Sequence, residues 1–248
     1  MGWILPTSRW VRQIGEGGIR MRKILITLVL ATGFLLSPEN SFAGSIGDPG
    51  ATLMMRELSL GPELSWVSRE IRDENSVRYD TEAWRIHLKG AYGVTDWVEA
   101  FARVGGATLK VRETSFEGSP GISAGGGVKL NFLDPPGHPL RYSVGGQFLY
   151  SQIDDGGATA KWFEYDIWAG VAYRDLKDLV PFGGIVYCRV DGKLKDFPSQ
   201  PALNEFKSPT AMGIFLGLDW NMNKQMTLGV EFRGFAENSG TISLRYRF

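Results

Sequence analysis

The strongest constraint on this chain is a two-residue period that returns in segment after segment and runs to its last residue. It is cleanest at the end, in Thr241-Ile242-Ser243-Leu244-Arg245-Tyr246-Arg247-Phe248. Ile242, Leu244, Tyr246 and Phe248 share one parity, and Ser243, Arg245 and Arg247 the other. Side chains alternate faces along a strand, so this segment reads as a β-strand with one apolar and one cationic face. Upstream, Trp84, Ile86, Leu88 and Tyr92 alternate with Arg85, His87 and Lys89; Val98, Ala100, Ala102 and Val104 with Glu99, Phe101 and Arg103. Turn-forming segments punctuate the pattern, among them Asp134-Pro135-Pro136-Gly137 and Asp154-Asp155-Gly156-Gly157. The spacing predicts about ten strands, the first starting after Pro62 and the last ending at Phe248, with the longest loop at Gly192 to Ser208. Long polar connections are expected after most odd strands and short or Pro-rich ones after the even strands.

One parity of most strands is almost free of charge. The other collects Arg85, His87, Lys89, Glu99, Arg103, Lys129, Arg141, Glu164, Asp166, Arg189, Asp191, Asp219, Glu231, Arg233, Arg245 and Arg247. A soluble barrel would turn the apolar parity inward around a ligand; a membrane barrel would turn it toward lipid and enclose the charges. Large aromatics near strand ends (Trp84, Tyr92, Tyr142, Tyr150, Tyr173, Trp220, Tyr246 and Phe248) suit the interfacial girdles of a membrane barrel. The charged parity is rich in small residues and carries both signs. The expected fold is therefore all-β, an antiparallel transmembrane β-barrel with a salt-bridged, largely filled lumen, in which glycines such as Gly125, Gly127, Gly145, Gly183, Gly213 and Gly217 leave room for long Arg and Lys side chains. Cys188, the single cysteine, is placed on the lipid-facing parity, where a thiol acts as a small apolar group.

The N-terminus carries an address. Arg20, Arg22 and Lys23 surround Met21, an apolar run follows from Ile24 to Leu36, and Ser41-Phe42-Ala43-Gly44 closes it. That order is a secretory signal, and the run is too short for a membrane-spanning helix. Cleavage is expected after Ala43, with Met21 the natural start. Residues 1–43 then form extension and signal, 44–62 a short periplasmic lead-in, and 63–248 the barrel.

Chemistry is sparse. One cysteine excludes an internal disulfide and a cysteine metal cluster, and a net charge of zero gives no footprint for nucleic acid. His138 lies in a Pro-rich turn and His87 on the lumen parity. No catalytic residue, cofactor or metal is expected, and the chain is not read as an enzyme.

The terminal strand resembles the C-terminal strand of bacterial outer-membrane barrels, and that resemblance implies that Tyr246 and Phe248 form the signal read by the barrel-assembly machinery. The mature chain is similar in architecture to the small outer-membrane β-barrel proteins of the OmpA-barrel, OmpX, OmpW and opacity type. This implies residence in the outer membrane of a Gram-negative bacterium, with lipid and lipopolysaccharide as neighbours. A structural or surface-interaction role with an unidentified extracellular ligand is expected; the alternatives are a narrow porin-like channel, an outer-membrane hydrolase, or a soluble periplasmic ligand-binding barrel.

Overall fold

A computed structural model describes residues 45–50, 53–73, 76–112, 116–133, 138–195, 205–208, 212–235 and 237–248. The expected signal segment lies outside them. The chain forms strands β1 (Leu58–Asp73), β2 (Arg78–Thr95), β3 (Val98–Val111), β4 (Glu117–Leu133), β5 (Leu140–Asp155), β6 (Ala158–Tyr173), β7 (Leu179–Lys195), β8 (Glu205–Lys207), β9 (Met212–Asn221), β10 (Met226–Gly234) and β11 (Asn238–Arg247). All pairings are antiparallel. Successive strands pair in order, β9 follows β7 in the wall, and β11 closes the barrel on β1 from Ser59↔Arg247 to Ser68↔Asn238. Ten strands make the wall, as the spacing predicts. Closure leaves no strand edge along the wall, the condition for a sheet to survive in lipid.

β8 is an addition. It lies inside the longest expected loop and pairs with β7 (Asp191↔Lys207, Gly192↔Phe206) and with β1 (Arg72↔Lys207, Asp73↔Phe206). Strands β9, β10 and β11 have 10, 9 and 10 residues, whereas β1 to β7 have 14 to 18. Above the three short strands, β8 alone bridges β7 to β1. The barrel thus has ten strands at the end that holds Leu58 and Phe248 and eight at the opposite end.

Several expected boundaries move. β1 begins at Leu58 and runs through Pro62, because proline lacks only one donor. Pro62 keeps its place opposite Leu88 of β2, and the gap falls in the β11 ladder, which skips Gly61 and Pro62. β4 starts at Glu117 and β7 continues to Lys195, so the expected loops are shorter and the strands longer. The β5–β6 connection is the two-residue turn Gly156-Gly157, with φ of +55° and +102°, which glycine adopts at no steric cost. Length alternation therefore sits in the strands rather than in the loops: extended polar segments after β3 and β5 pair across their hairpins instead of looping out.

The outer surface carries the apolar parity. Ile86, Val104, Ile122, Phe132, Ile167, Ile185 and Ile242 are exposed, with Trp84, Trp97, Tyr92, Trp220, Tyr246 and Phe248 toward the rims. Cross-strand aromatic pairs tie the wall on this face, Trp66 with Trp84 at 5.9 Å and Tyr150 with Phe163 at 4.8 Å between centroids. Arg85, His87, Glu99, Arg103, Lys129, Glu164, Asp166, Asp219, Glu231 and Arg233 are buried within. An apolar exterior around charged cores is the inversion of a soluble protein and defines a transmembrane β-barrel.

Candidate functional site

Buried charged side chains converge in the lumen, and it is layered. At the end holding Phe248, Ser45 to Gly50 do not lie outside the barrel, as the expected periplasmic lead-in would. They are folded into it. Glu231 of β10 accepts the backbone N–H of Ile46 (2.9 Å) and of Gly47 (2.7 Å). Arg103 of β3 donates to the carbonyl of Ser45 at 3.0 Å, and Arg141 and Arg174 donate to the carbonyl of Gly50. Ile46 packs with Trp168, Phe182, Val186 and Phe215, and Pro49 lies against Gly170. The segment is held because a backbone entering a dry lumen must find partners for its N–H and C=O groups, and facing strands supply them. Burial pushes the Asp48 carboxyl above its ordinary range, against the pull of Lys129 and Arg245. A cavity of about 40 Å³ lies beside the segment, lined among others by Glu63, Lys89, Glu99, Asp219 and Arg245.

The middle layer is an ion-pair network. Arg233 meets Asp166 (2.9 Å), Glu231 (3.1 Å) and Glu237 (3.2 Å). Arg69 meets Glu164 (2.9 Å) and Glu237 (2.6 Å), and Arg85 also pairs with Glu164. Lys89 and Arg103 share Glu63, Lys129 pairs with Glu99 at 3.2 Å, and Arg245 with Asp219 at 2.5 Å. Gln147 links Arg103 to Asp166. Each charge brings at least one opposite charge into a low dielectric, which offsets the cost of removing it from water.

The far layer is apolar, which the charged parity does not suggest. Val67, Ile71, Ala83, Leu109, Phe116, Ile153, Trp162, Val190 and Phe206 pack together across the eight-stranded section. Eight strands enclose just enough space for side chains to fill, and here they do so mainly with hydrocarbon, with Asp73 buried near the tip and Arg69 and Arg85 against its inner edge.

The structure brings together most of the sequence-predicted lumen residues and corrects others. Arg189 faces outward and pairs with Asp191 at 2.8 Å on the surface. β7 carries its apolar parity inward: Phe182, Val186, Cys188 and Val190 are buried, whereas Ile185 and Tyr187 are exposed. The physical reason is that this stretch of β7 faces Ile46 at one end and the apolar layer at the other, so hydrocarbon is needed on both sides of the wall. Cys188 accordingly lies inside, its thiol 3.6 Å from Glu237, not against lipid. Arg247 sits at the rim, 4.0 Å from Glu57 and partly exposed. Ring seats replace the expected room for Arg and Lys at several glycines. A Cβ at Gly127 would lie 2.6 Å from Phe101, at Gly145 2.3 Å from Trp168, and at Gly217 2.2 Å from Phe182.

Arg69, Glu63 and Glu237 belong to the network and the sequence reading missed them. Glu63 and Arg69 continue the parity of Ser65, a signal that was there to follow past Val67. Glu237 lies between β10 and β11, where no periodicity applies. The fold also sets His87 Nε2 3.0 Å from the Ser123 hydroxyl, itself 2.9 Å from that of Ser151. His87 is 2% exposed and both serines 0%, and His87 Nδ1 has no partner to orient the ring. A general base needs a substrate within reach, so the arrangement is a buried polar bridge between β2, β4 and β5. Among the described residues, no group of three His, Cys, Asp or Glu side chains is placed to hold a metal ion.

The fold and this lumen define a transmembrane β-barrel protein. No protein-family model matches the chain. It is similar to an outer membrane channel from Pseudomonas putida F1, at 9% identity and a TM-score of 0.51, over 83% of this chain and 100% of that one. The N-terminal β-barrel domain of Pseudomonas aeruginosa OprF shares 13% identity over 79% of this chain and 100% of that one, with a TM-score of 0.36. Among curated proteins, the DNA-directed RNA polymerase subunit beta' of Acinetobacter baumannii is 31% identical over 154 residues, 53% of this chain and 10% of that protein. The chain thus spans about a tenth of the length of the curated relatives it matches.

Proposed function

We propose that this protein is a closed outer-membrane barrel with a structural or surface-interaction role and no catalytic activity. The observation that carries the reading is a lumen filled at both ends, by Ser45 to Gly50 at one and by the apolar layer around Phe206 and Trp162 at the other. Secretion by the N-terminal signal and insertion through the terminal Tyr246 and Phe248 place β8 and the tips of β1 to β7 outside the cell. There, Lys161, Lys195 and Lys207 stand exposed on neighbouring strands β6, β7 and β8, beside the Lys193–Glu205 pair at 2.6 Å. The Lys193 ammonium holds the Glu205 carboxyl below its ordinary range. This excess of cations above an aromatic belt suits the phosphates of lipopolysaccharide.

A narrow pore is the second reading, favoured by the cavity beside Ser45 to Gly50, which would lengthen if that segment left. Planar-bilayer recording tests both. The full mature chain is expected to show no sustained openings. In Gly50→Val, the new side chain meets Ala172 where a Cβ already lies 2.5 Å from it, so the segment is displaced; with the apolar layer intact, no sustained openings are expected even then. Sustained openings in the unaltered protein would overturn the closed-barrel reading and establish the pore.

A further inference from the structure

The rim at the β8 end of the barrel is unevenly charged. On the outward face of β6, β7, β8 and β1, Lys161 stands directly opposite Lys193, Lys207 opposite Arg72, and Arg72 opposite Arg78. Like charges directly opposite each other on one face of a sheet are destabilising. Carboxylates relieve part of this. Glu205 pairs with Lys193 at 2.6 Å, Asp191 with Arg189 at 2.8 Å, and Glu70 with both Arg72 (3.2 Å) and Arg78 (3.3 Å). Asp154, two strands from Lys195 in the same row, accepts from the Thr159 hydroxyl at 2.7 Å. Lys161, Lys195 and Lys207 are exposed, and among the described residues none of the three has an ion-pair partner. Further round the rim, Lys110 meets Glu117 at 3.1 Å and Arg112 pairs with Glu82, so among the described residues the unmatched cations gather on one side.

A flat aromatic face lies directly beneath this cationic shelf. The next outward residues of β6 after Lys161 are Phe163 and Tyr165, both exposed and stacked with centroids 6.3 Å apart. Tyr150 of β5 lies 4.8 Å from Phe163. The change from cation to aromatic thus falls between two successive outward positions of one strand, as it does where headgroups give way to acyl chains. The cations stretch over four neighbouring strands, from β6 through β7 and β8 to β1, roughly 14 Å at about 4.8 Å per strand. A single phosphate covers a fraction of that width. A saccharide head with a phosphate at each end covers it: one phosphate meets Lys161 and Lys195, the other meets Lys207 and Arg72, and acyl chains descend onto Phe163 and Tyr165.

We infer that this shelf binds one bisphosphorylated, multiply acylated saccharide lipid of the outer leaflet, with side-chain cations rather than divalent metal ions neutralising both phosphates. The inference rests on the placement of β8 outside the cell under the proposed function, and it names the part of the molecule that meets lipopolysaccharide. A lipid with an uncharged head leaves the three lysines unmatched. A diacyl lipid with one phosphate matches only one end of the shelf. Without a ligand, the opposed pairs Lys161–Lys193 and Lys207–Arg72 repel across the strands that hold β8, so the bound lipid also fastens β8 to its neighbours.

The test uses the full mature barrel in detergent, with EDTA present, and native mass spectrometry to count bound lipid. The probes are bisphosphoryl lipid A, the same lipid without its phosphates, and phosphatidylglycerol. One bisphosphoryl lipid A per barrel is expected, held several-fold more tightly than either of the others and less tightly as salt is raised. Lys161→Ser and Lys207→Ser should each weaken it by about fivefold, the worth of one lysine at an anionic lipid surface. Lys110→Ser, outside the shelf, should leave it unchanged, and all three variants should keep the heat-dependent gel shift. Retention of the phosphate-free lipid as tight as that of the bisphosphoryl form, a comparison that needs no variant, would overturn the site. So would losses in Lys161→Ser and Lys207→Ser no larger than in Lys110→Ser. Amine labelling of Lys110 on intact cells checks orientation separately. A reachable Lys110 with no lipid discrimination sinks this inference alone, and an unreachable one sinks the reading on which it rests.

Discussion

The ten-stranded and eight-stranded sections of one barrel solve the same problem in opposite ways. Both must fill an interior too narrow to leave open. The wider section does so with ion pairs and an inserted stretch of backbone; the narrower one does so with hydrocarbon. Two extra strands account for the difference. They widen the lumen beyond what side chains alone can fill, and a wide lumen that admits long Arg and Glu side chains also admits Ser45 to Gly50. Where β8 replaces three strands by one, adjacent walls come within reach of Phe116, Trp162 and Phe206, and hydrocarbon does most of the filling. The same exterior thus covers two interiors with different physics: one whose integrity depends on paired charges, and one that depends on close packing.

That contrast can be broken most forcefully at its polar centre. Arg233→Met strips Asp166, Glu231 and Glu237 of a shared partner at 1% side-chain exposure. Removing one member of a buried pair costs about 3–5 kcal/mol, and here Asp166 and Glu231 each lose a cation while Glu237 keeps Arg69. The temperature at which the unboiled, compact gel form is lost should fall sharply; a fall no larger than that of a surface variant would mean that the network contributes little. Phe206→Ala probes the apolar section. A buried Phe→Ala costs about 3–5 kcal/mol in a packed core, and the value here should sit at or below the lower end because the ring lies under a three-residue strand. Its loss should show first as faster amide exchange in the described tips of β1 and β7, with the ten-stranded section unchanged; uniform exchange throughout the barrel would join the two sections into one cooperative unit. Arg189→Ala is the sharpening control. Its partner Asp191 is on the surface, so the change should be worth about 0–1 kcal/mol. A large effect would return Arg189 to the lumen, where its parity in the sequence had put it.

Parity was legible because a strand in a membrane barrel separates lipid from lumen residue by residue. Trp84, Ile86, Ile122 and Ile242 lie outside and Arg85, Glu99, Arg103, Glu164 and Arg233 inside, as alternation requires. It failed on β7, where both faces need hydrocarbon and the two-residue period that assigns sides carries no signal. Strand ends were misjudged for a different reason. Polar residues from Glu117 to Pro120 and from Asp154 to Asp155 look like loop in sequence, yet they lie in paired strand above the apolar belt, where water is the outer solvent.

The sequence by itself determined the fold class, a wall of about ten strands and the face on which most side chains lie, because these follow from local periodicity and from the turns between strands. Tertiary structure decided the rest. Which charges meet, as Arg69 with Glu237 or Arg85 with Glu164, depends on strands far apart in the chain closing around one axis. That Ser45 to Gly50 enter the lumen, and that Glu205 to Lys207 narrow the barrel, depends on space left by other elements, and a short segment without periodicity holds no record of where that space lies.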